Sequence, residues 1–172
     1  MRAVRSTLGL CAVAALATSC ASTRGRAGGD GAAAMSVPAP AAEVAAVRAV
    51  VQRLFDGMRA RDTVMMRSVF HPEARLYGLN RSGAIEMNPS SSFLQVIARA
   101  PAGLLLDEVI QDVEIRMDGS LATVWAYYDF FAGDRFSHCG YDAFQLLKSQ
   151  SEWKVVAVAD SRRTEGCRQK RS

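Results

Sequence analysis

The sequence predicts an α+β fold in which three N-terminal helices pack on a curved antiparallel sheet. Three observations carry this expectation. Helical spacing of apolar residues dominates from Glu43 to Ala100. Period-two alternation of β-branched and aromatic residues dominates from Leu106 onward. Helices come first and strands last, which segregates helices to one side of an antiparallel sheet.

Each element has its own signal. Glu43–Ala60 reads as an amphipathic helix, because Val44, Val47, Val51, Leu54, Phe55 and Met58 fall at three- and four-residue spacing. Asp62 suits an N-cap for a second helix, Thr63–Phe70. His71-Pro72 ends that helix, since the residue before proline is pushed out of the helical region. Ala74–Leu79 and Ala84–Met87 read as short strands around the turn Asn80-Arg81-Ser82-Gly83. Ser91–Ala100 is the third helix, stopped by Pro101-Ala102-Gly103. Leu106–Met117 is the first long strand, and Asp118-Gly119 marks a tight hairpin.

Three more strands follow: Leu121–Phe131, Phe136–Lys148 and Trp153–Arg163. In the first, Ala122, Val124, Ala126, Tyr128 and Phe130 share one face, opposite Trp125, Tyr127, Asp129 and Phe131. In the second, strict alternation groups Phe136, His138, Gly140, Asp142, Phe144 and Leu146. Both faces are largely apolar, so both should be covered. Helices would cover one, and the other would line a cavity or an interface. The tail after Arg163 reads as polar and frayed, apart from Cys167.

Charge excludes one class of partner. The net charge is +4, but nine of the 21 basic residues lie before Ala41 or after Ser161, against two of the 17 acidic ones. The body is therefore slightly acidic, and a nucleic-acid surface would need a basic patch there.

Residues 1–20 read as a secretory signal. Arg2 and Arg5 precede the apolar run Leu8–Ala17, and small residues follow. That run is too short for a permanent membrane span. Ala17-Thr18-Ser19-Cys20 resembles a bacterial lipobox, with Ala17 where leucine is usual. The expectation is an exported lipoprotein carrying lipid on Cys20, on the periplasmic face of a bacterial membrane; Ala21 would suit the outer one. Ordinary cleavage after Ala17 or Ala21 is the alternative. Residues 21–41, rich in Ala and Gly with Pro38 and Pro40, read as a flexible tether. Cys11 would leave with the signal. Cys139 and Cys167 remain as an even pair in an oxidising compartment. A disulfide between them would clamp the tail onto the middle strand; two free thiols are the alternative.

The long first helix, Phe70-His71-Pro72-Glu73-Ala74-Arg75-Leu76, the Asp118-Gly119 hairpin and Trp153-Lys154-Val155-Val156 together resemble the nuclear transport factor two-like superfamily. Its cone-shaped fold is shared by ketosteroid isomerase, scytalone dehydratase and SnoaL-like polyketide cyclases. Val124-Trp125-Ala126, Tyr128-Asp129-Phe130, His138-Cys139-Gly140, Phe144-Gln145-Leu146 and Glu165-Gly166-Cys167 resemble a bacterial exported subfamily of that fold. The resemblance implies a SnoaL-like domain over residues 42–167, followed by a basic tail, 168–172. It transfers no catalytic role, since neither the Tyr/Asp set of the isomerase nor the His/Asp set of the dehydratase maps onto this chain.

The candidate chemistry comes from the residues themselves. A tight Ala132–Arg135 turn would set Asp129 opposite His138, with Trp125, Tyr127 and Asp142 on the same face. A carboxylate holding one imidazole proton leaves the other nitrogen as a base near neutral pH. Asp129 and His138 are thus the candidate catalytic pair, with a purely structural pair as the alternative. Tyr77, Trp125, Tyr127, Phe131, Tyr141, Asp142 and Phe144 are the candidates to line an apolar pocket. Trp153, Met65 and Met66 read as packing. The two histidines offer no metal-ligand spacing, and no cofactor is expected. Three functions stay open: a module binding a small hydrophobic or amphipathic ligand, an isomerase-, dehydratase- or cyclase-like enzyme, or a homodimeric assembly module with a filled cavity.

Overall fold

The structure is a computed structural model and describes residues 39–171. The expected signal segment, Cys20 and most of the tether lie outside them. The described elements are α1 (Ala41–Ala60), α2 (Thr63–Val69), β1 (Phe70–Leu79), β2 (Ile85–Pro89), α3 (Ser90–Arg99), β3 (Leu106–Asp118), β4 (Leu121–Ala132), β5 (Arg135–Ser149) and β6 (Glu152–Asp160). Among them, no helix is long and apolar enough to cross a membrane.

The helical boundaries follow the expected signals. Asp62 caps α2 by accepting from the Val64 and Met65 amides at 3.0 and 2.8 Å, a contact type worth about 1 kcal/mol. At the corner between α1 and α2, Arg61 adopts the left-handed conformation. Its guanidinium donates to the Pro101 carbonyl at 2.9 Å and also reaches Ala98 and Ala100, so it caps the end of α3.

The strands form one six-stranded sheet in the order β2-β1-β6-β5-β4-β3. The expected antiparallel meander β3 to β6 is present, but β1 runs parallel to β6, so the sheet is mixed. Sequence neighbours announce hairpins; the long-range return of β1 to β6 has no such local signal. Bulges interrupt four of the five pairings. Each inserts residues into one strand, which bends the sheet and increases its twist.

The bent sheet closes over the helices. Val47, Val51, Leu54, Phe55 and Met58 of α1 bury against Ala122, Val124, Phe144, Leu146 and Val155. Phe55 meets Phe144 edge to face at 6.1 Å. Glu43, in the first turn of α1, accepts from Lys148 Nζ at 2.6 Å and from Trp153 Nε1 at 2.8 Å. The Lys148 bond, then the Trp153 bond, hold the Glu43 carboxyl below its ordinary range. Trp153 is buried, as its reading as a core residue requires.

The C-terminus departs from expectation. The last strand ends at Asp160 rather than Arg163, and Ser161 to Arg163 stay bonded to the β5 backbone before the chain turns onto the outer face. Arg163 pairs with Cys139 as an isolated bridge. Cys139 and Cys167 are joined, with Cα atoms 5.7 Å apart. Beyond them the tail is not frayed but a strap: the Arg168 amide donates to Tyr127 Oη at 2.9 Å and the Lys170 amide to Asp129 Oδ2 at 3.0 Å. Arg168 also pairs with Asp112 and lies over the Tyr127 ring, and Arg171 lies over Phe131. The basic residues that looked solvated in the sequence thus find aromatic faces and a carboxylate.

Candidate functional site

Residues directly opposite on neighbouring strands share a face, so register decides which side chains meet. Asp129 lies opposite Cys139, and His138 lies opposite Phe130. The expected Asp129–His138 pair is therefore corrected: the two lie on opposite faces. The Ala132–Arg135 turn is tight, as anticipated, but Ser137 is an extra residue, because Phe131 opposes Phe136 while Phe130 opposes His138. That bulge shifts the alternation by one. It also puts Phe136 on the outer face with Phe131, where the rings meet at 5.7 Å.

Asp129 is an outer-face anchor. It is fully buried beneath the strap and accepts from Tyr127 Oη at 2.8 Å, Gln111 Nε2 at 3.2 Å and the Lys170 amide. Burial, first of all, raises the Tyr127 hydroxyl above its ordinary value, keeping it a donor. Asp129, Cys139 and Cys167 lie close enough to suggest a metal cluster. With the sulfurs joined, they offer one carboxylate already occupied by three donors. Asp129→Ala is expected to lower stability by about 2–3 kcal/mol in urea titrations, because it leaves those buried donors unpaired. His138→Ala, at a half-buried position, should cost about 1 kcal/mol or less.

The expected pocket set is divided by the sheet. Tyr77, Trp125, Tyr127, Phe131 and Tyr141 face outward, whereas Asp142 and Phe144 face the helices. Tyr127 and Phe131 are buried under the strap, and Phe144 is core. Trp125 stacks on Tyr141 at 5.1 Å and remains half exposed. With Tyr77, Thr123, Ala143, Gln145, Ala157 and Ala159 it lines an open outer cleft of about 640 Å³. No described side chain in that cleft carries a buried, unsatisfied polar atom.

The inner face does. Three cross-strand rows follow one another there: Glu108–Phe130–His138, Ile110–Tyr128–Gly140 and Ala126–Asp142–Asp160. The next row, Val124–Phe144–Val158, already belongs to the core. Asp142 is 4% exposed, and no amide, nitrogen side chain or hydroxyl of the protein donates to its Oδ2. Its hydrogen-bonding neighbour is another carboxyl, Glu108. Two carboxyls bond only by sharing a proton. Burial, above all, pushes Glu108 up to about 7, and burial with the Glu108 charge raises Asp142 well above the carboxylate range.

The surroundings complete the electrostatics. Asp160 accepts from Arg162 Nε at 2.6 Å. Tyr128 donates to the Ser161 carbonyl at 2.9 Å, and burial and the three carboxylates raise its hydroxyl. His138 contacts the Phe130 and Tyr128 rings and bonds Ser137 Oγ through Nδ1 at 3.0 Å. Burial, then the Arg162 charge, lower its affinity for a proton, so it is neutral near pH 7. The site is thus an acidic pair, Asp142 buried and Glu108 half-buried, flanked by aromatic rings and a compensated ion pair.

Of the candidates drawn from sequence, Asp142 and His138 belong here. Glu108, Asp160 and Tyr128 were missed. Glu108 had a signal: it is a charged residue on the face that Leu106 and Ile110 turn toward the core.

Comparison with known proteins agrees with this architecture. A family model described as "Putative lumazine-binding" matches residues 42–159. No curated protein matches the chain. An NTF2-like protein of unknown function from Shewanella baltica OS155 is 20% identical, with a TM-score of 0.60 over 75% of this chain and 100% of that one. A second, from Silicibacter pomeroyi DSS-3, is 19% identical, with a TM-score of 0.57 over 71% and 97%. A third, from Cytophaga hutchinsonii, is 13% identical, with a TM-score of 0.60 over 73% and 100%. These likenesses share the fold, and the matched span runs from the first turn of α1 to the end of β6. On that span the fold is that of the NTF2-like proteins, and the chain belongs to the putative lumazine-binding family.

Proposed function

We propose that the protein is an exported, lipid-anchored module that binds a small molecule on the inner face of its sheet. The observation that carries the binding site is Asp142 Oδ2, a buried acceptor with no protein donor. Such a group costs free energy unless something else satisfies it. Phe130, Tyr128 and His138 supply flat apolar surface beside it. A planar ring bearing N–H donors fits both features, and the family's description as lumazine-binding points to the same class. The lipid anchor rests on the basic start, apolar run and Cys20 of the sequence. The enzyme alternative loses its named pair, since Asp129 and His138 face apart.

The outer face supports a further property, pairing with a second copy. Leu79, Ile85, Met87 and Trp125 are exposed there, around the open cleft.

Native mass spectrometry of the full chain taken from its own envelope tests all three elements. The expected result is acyl mass on Cys20, a dimer, and a released small molecule that the Asp142→Leu variant lacks. Wild-type protein without a bound small molecule, or one retained equally by the variant, would overturn the binding site. A free Cys20 would overturn the anchor.

A further inference from the structure

The charge of the ligand, an inference that rests on that binding site, follows from the carboxyls that line it. Three carboxyls, Glu108 from β3, Asp142 from β5 and Asp160 from β6, act on one another across the inner face. Among the described residues no lysine, arginine or histidine forms an ion pair with Glu108 or Asp142, and the nearby Arg162 commits its Nε to Asp160 at 2.6 Å. His138 is neutral and Tyr128 keeps its proton, so neither supplies the missing charge. The Glu108–Asp142 pair is left with one cation too few. Asp142 is buried and carries a free lone pair, while Glu108 and Asp160 are half-buried and reachable from solvent.

We propose that this site takes a ligand with a cationic nitrogen bearing at least two N–H donors, of the amidinium or protonated aminoheterocycle class, held in a fork by Glu108 and Asp142. Each carboxylate accepts one N–H, as bidentate charge-assisted pairs do. The attached ring lies against Phe130 and His138. Binding expels the proton that the two carboxyls share, and that proton passes to the buffer. An anionic ligand would add charge to an acidic site and is rejected.

Burial sets the pH dependence. Glu108 ionises only as pH rises through about 7, and Asp142, held up by burial and by the Glu108 charge, keeps the shared proton beyond that point. Below it, protons compete with the cation, so affinity falls as pH falls. Asp160 raises this threshold and Arg162 lowers it.

Three isosteric probes test the assignment on the full mature chain: benzamidinium, neutral benzamide and anionic benzoate, titrated calorimetrically in buffers of different ionisation enthalpy. Benzamidinium is expected to bind at least about 10-fold tighter than benzamide, which corresponds to one well-formed charged contact. Benzoate should not bind. Benzamidinium affinity should rise several-fold from pH 6 to 8, with net proton release at pH 6.5. Asp142→Asn should erase the preference for the cation. If that variant does not fold, Glu108→Gln serves, and the wild-type pH profile stands without any variant. Equal affinity for benzamidinium and benzamide would overturn the cation assignment and leave small-molecule binding in place. Failure of all three probes would overturn it as well; the mass measurement on native protein then decides binding itself.

Discussion

Gly140→Ala is expected to destabilise the domain by about 3–5 kcal/mol, an effect large enough to unfold many domains of this size. A Cβ built at Gly140 runs into the Ser161 carbonyl carbon and oxygen and lies 2.9 Å from the Tyr128 ring. The obstacle is backbone. Ser161 is held there from both sides, its amide donating to the Tyr141 carbonyl at 3.0 Å and its carbonyl accepting from Tyr128. Moving it would break those bonds and the Cys139–Arg163 bridge beyond. Gly166→Ala is the control. Gly166 has a positive φ of 63° but nothing within 4 Å of a built Cβ, so its cost is the left-handed conformation alone, about 1 kcal/mol. Urea midpoints of the two variants should differ accordingly. Equal midpoints would mean that the crossing of Ser161 over Gly140 is not a fixed feature of the fold.

Removing the disulfide is the second large effect. Cys139 and Cys167 are 28 residues apart, and closing a loop of that length is worth about 3–4 kcal/mol in the chain-entropy model. The double variant Cys139→Ser/Cys167→Ser should therefore melt roughly 10 °C lower. Reduction of the wild-type chain should give the same shift without changing any side chain. The loss should concentrate at one end of the molecule. Strap amides of Arg168 and Lys170, which donate to Tyr127 and Asp129, should exchange with solvent far faster after reduction. The α1 amides should not, because α1 packs on the other face. An unchanged melting temperature under full reduction would show that ion pairs and Asp129 alone retain the strap.

Much of the fold was legible because its signals are local. The α1 stripe of Val47, Val51, Leu54, Phe55 and Met58 buries as its spacing requires. Asp62 caps α2, and the Gly119 turn joins β3 to β4. Cys167, in an otherwise polar tail, had a reason to pair with Cys139 of β5, and it does. The site was legible only in part, because period two names the neighbours on one strand and not their partners on the next. A single extra residue, Ser137, moved His138 away from Asp129 and set Phe136 beside Phe131. No composition or spacing rule announces such an insertion when the strand remains β-rich throughout.

The sequence by itself determined the order of elements and the helical core stripe, and singled out Cys139 and Cys167 as candidates to pair. Those depend on side-chain type and short-range period, which any stretch carries with it. The tertiary structure alone decided that Asp129 anchors a strap, that β1 returns parallel to β6, and that Glu108 reaches Asp142 across β4. Register and long-range contact belong to the folded sheet, where burial turns two ordinary acids into a pair sharing one proton.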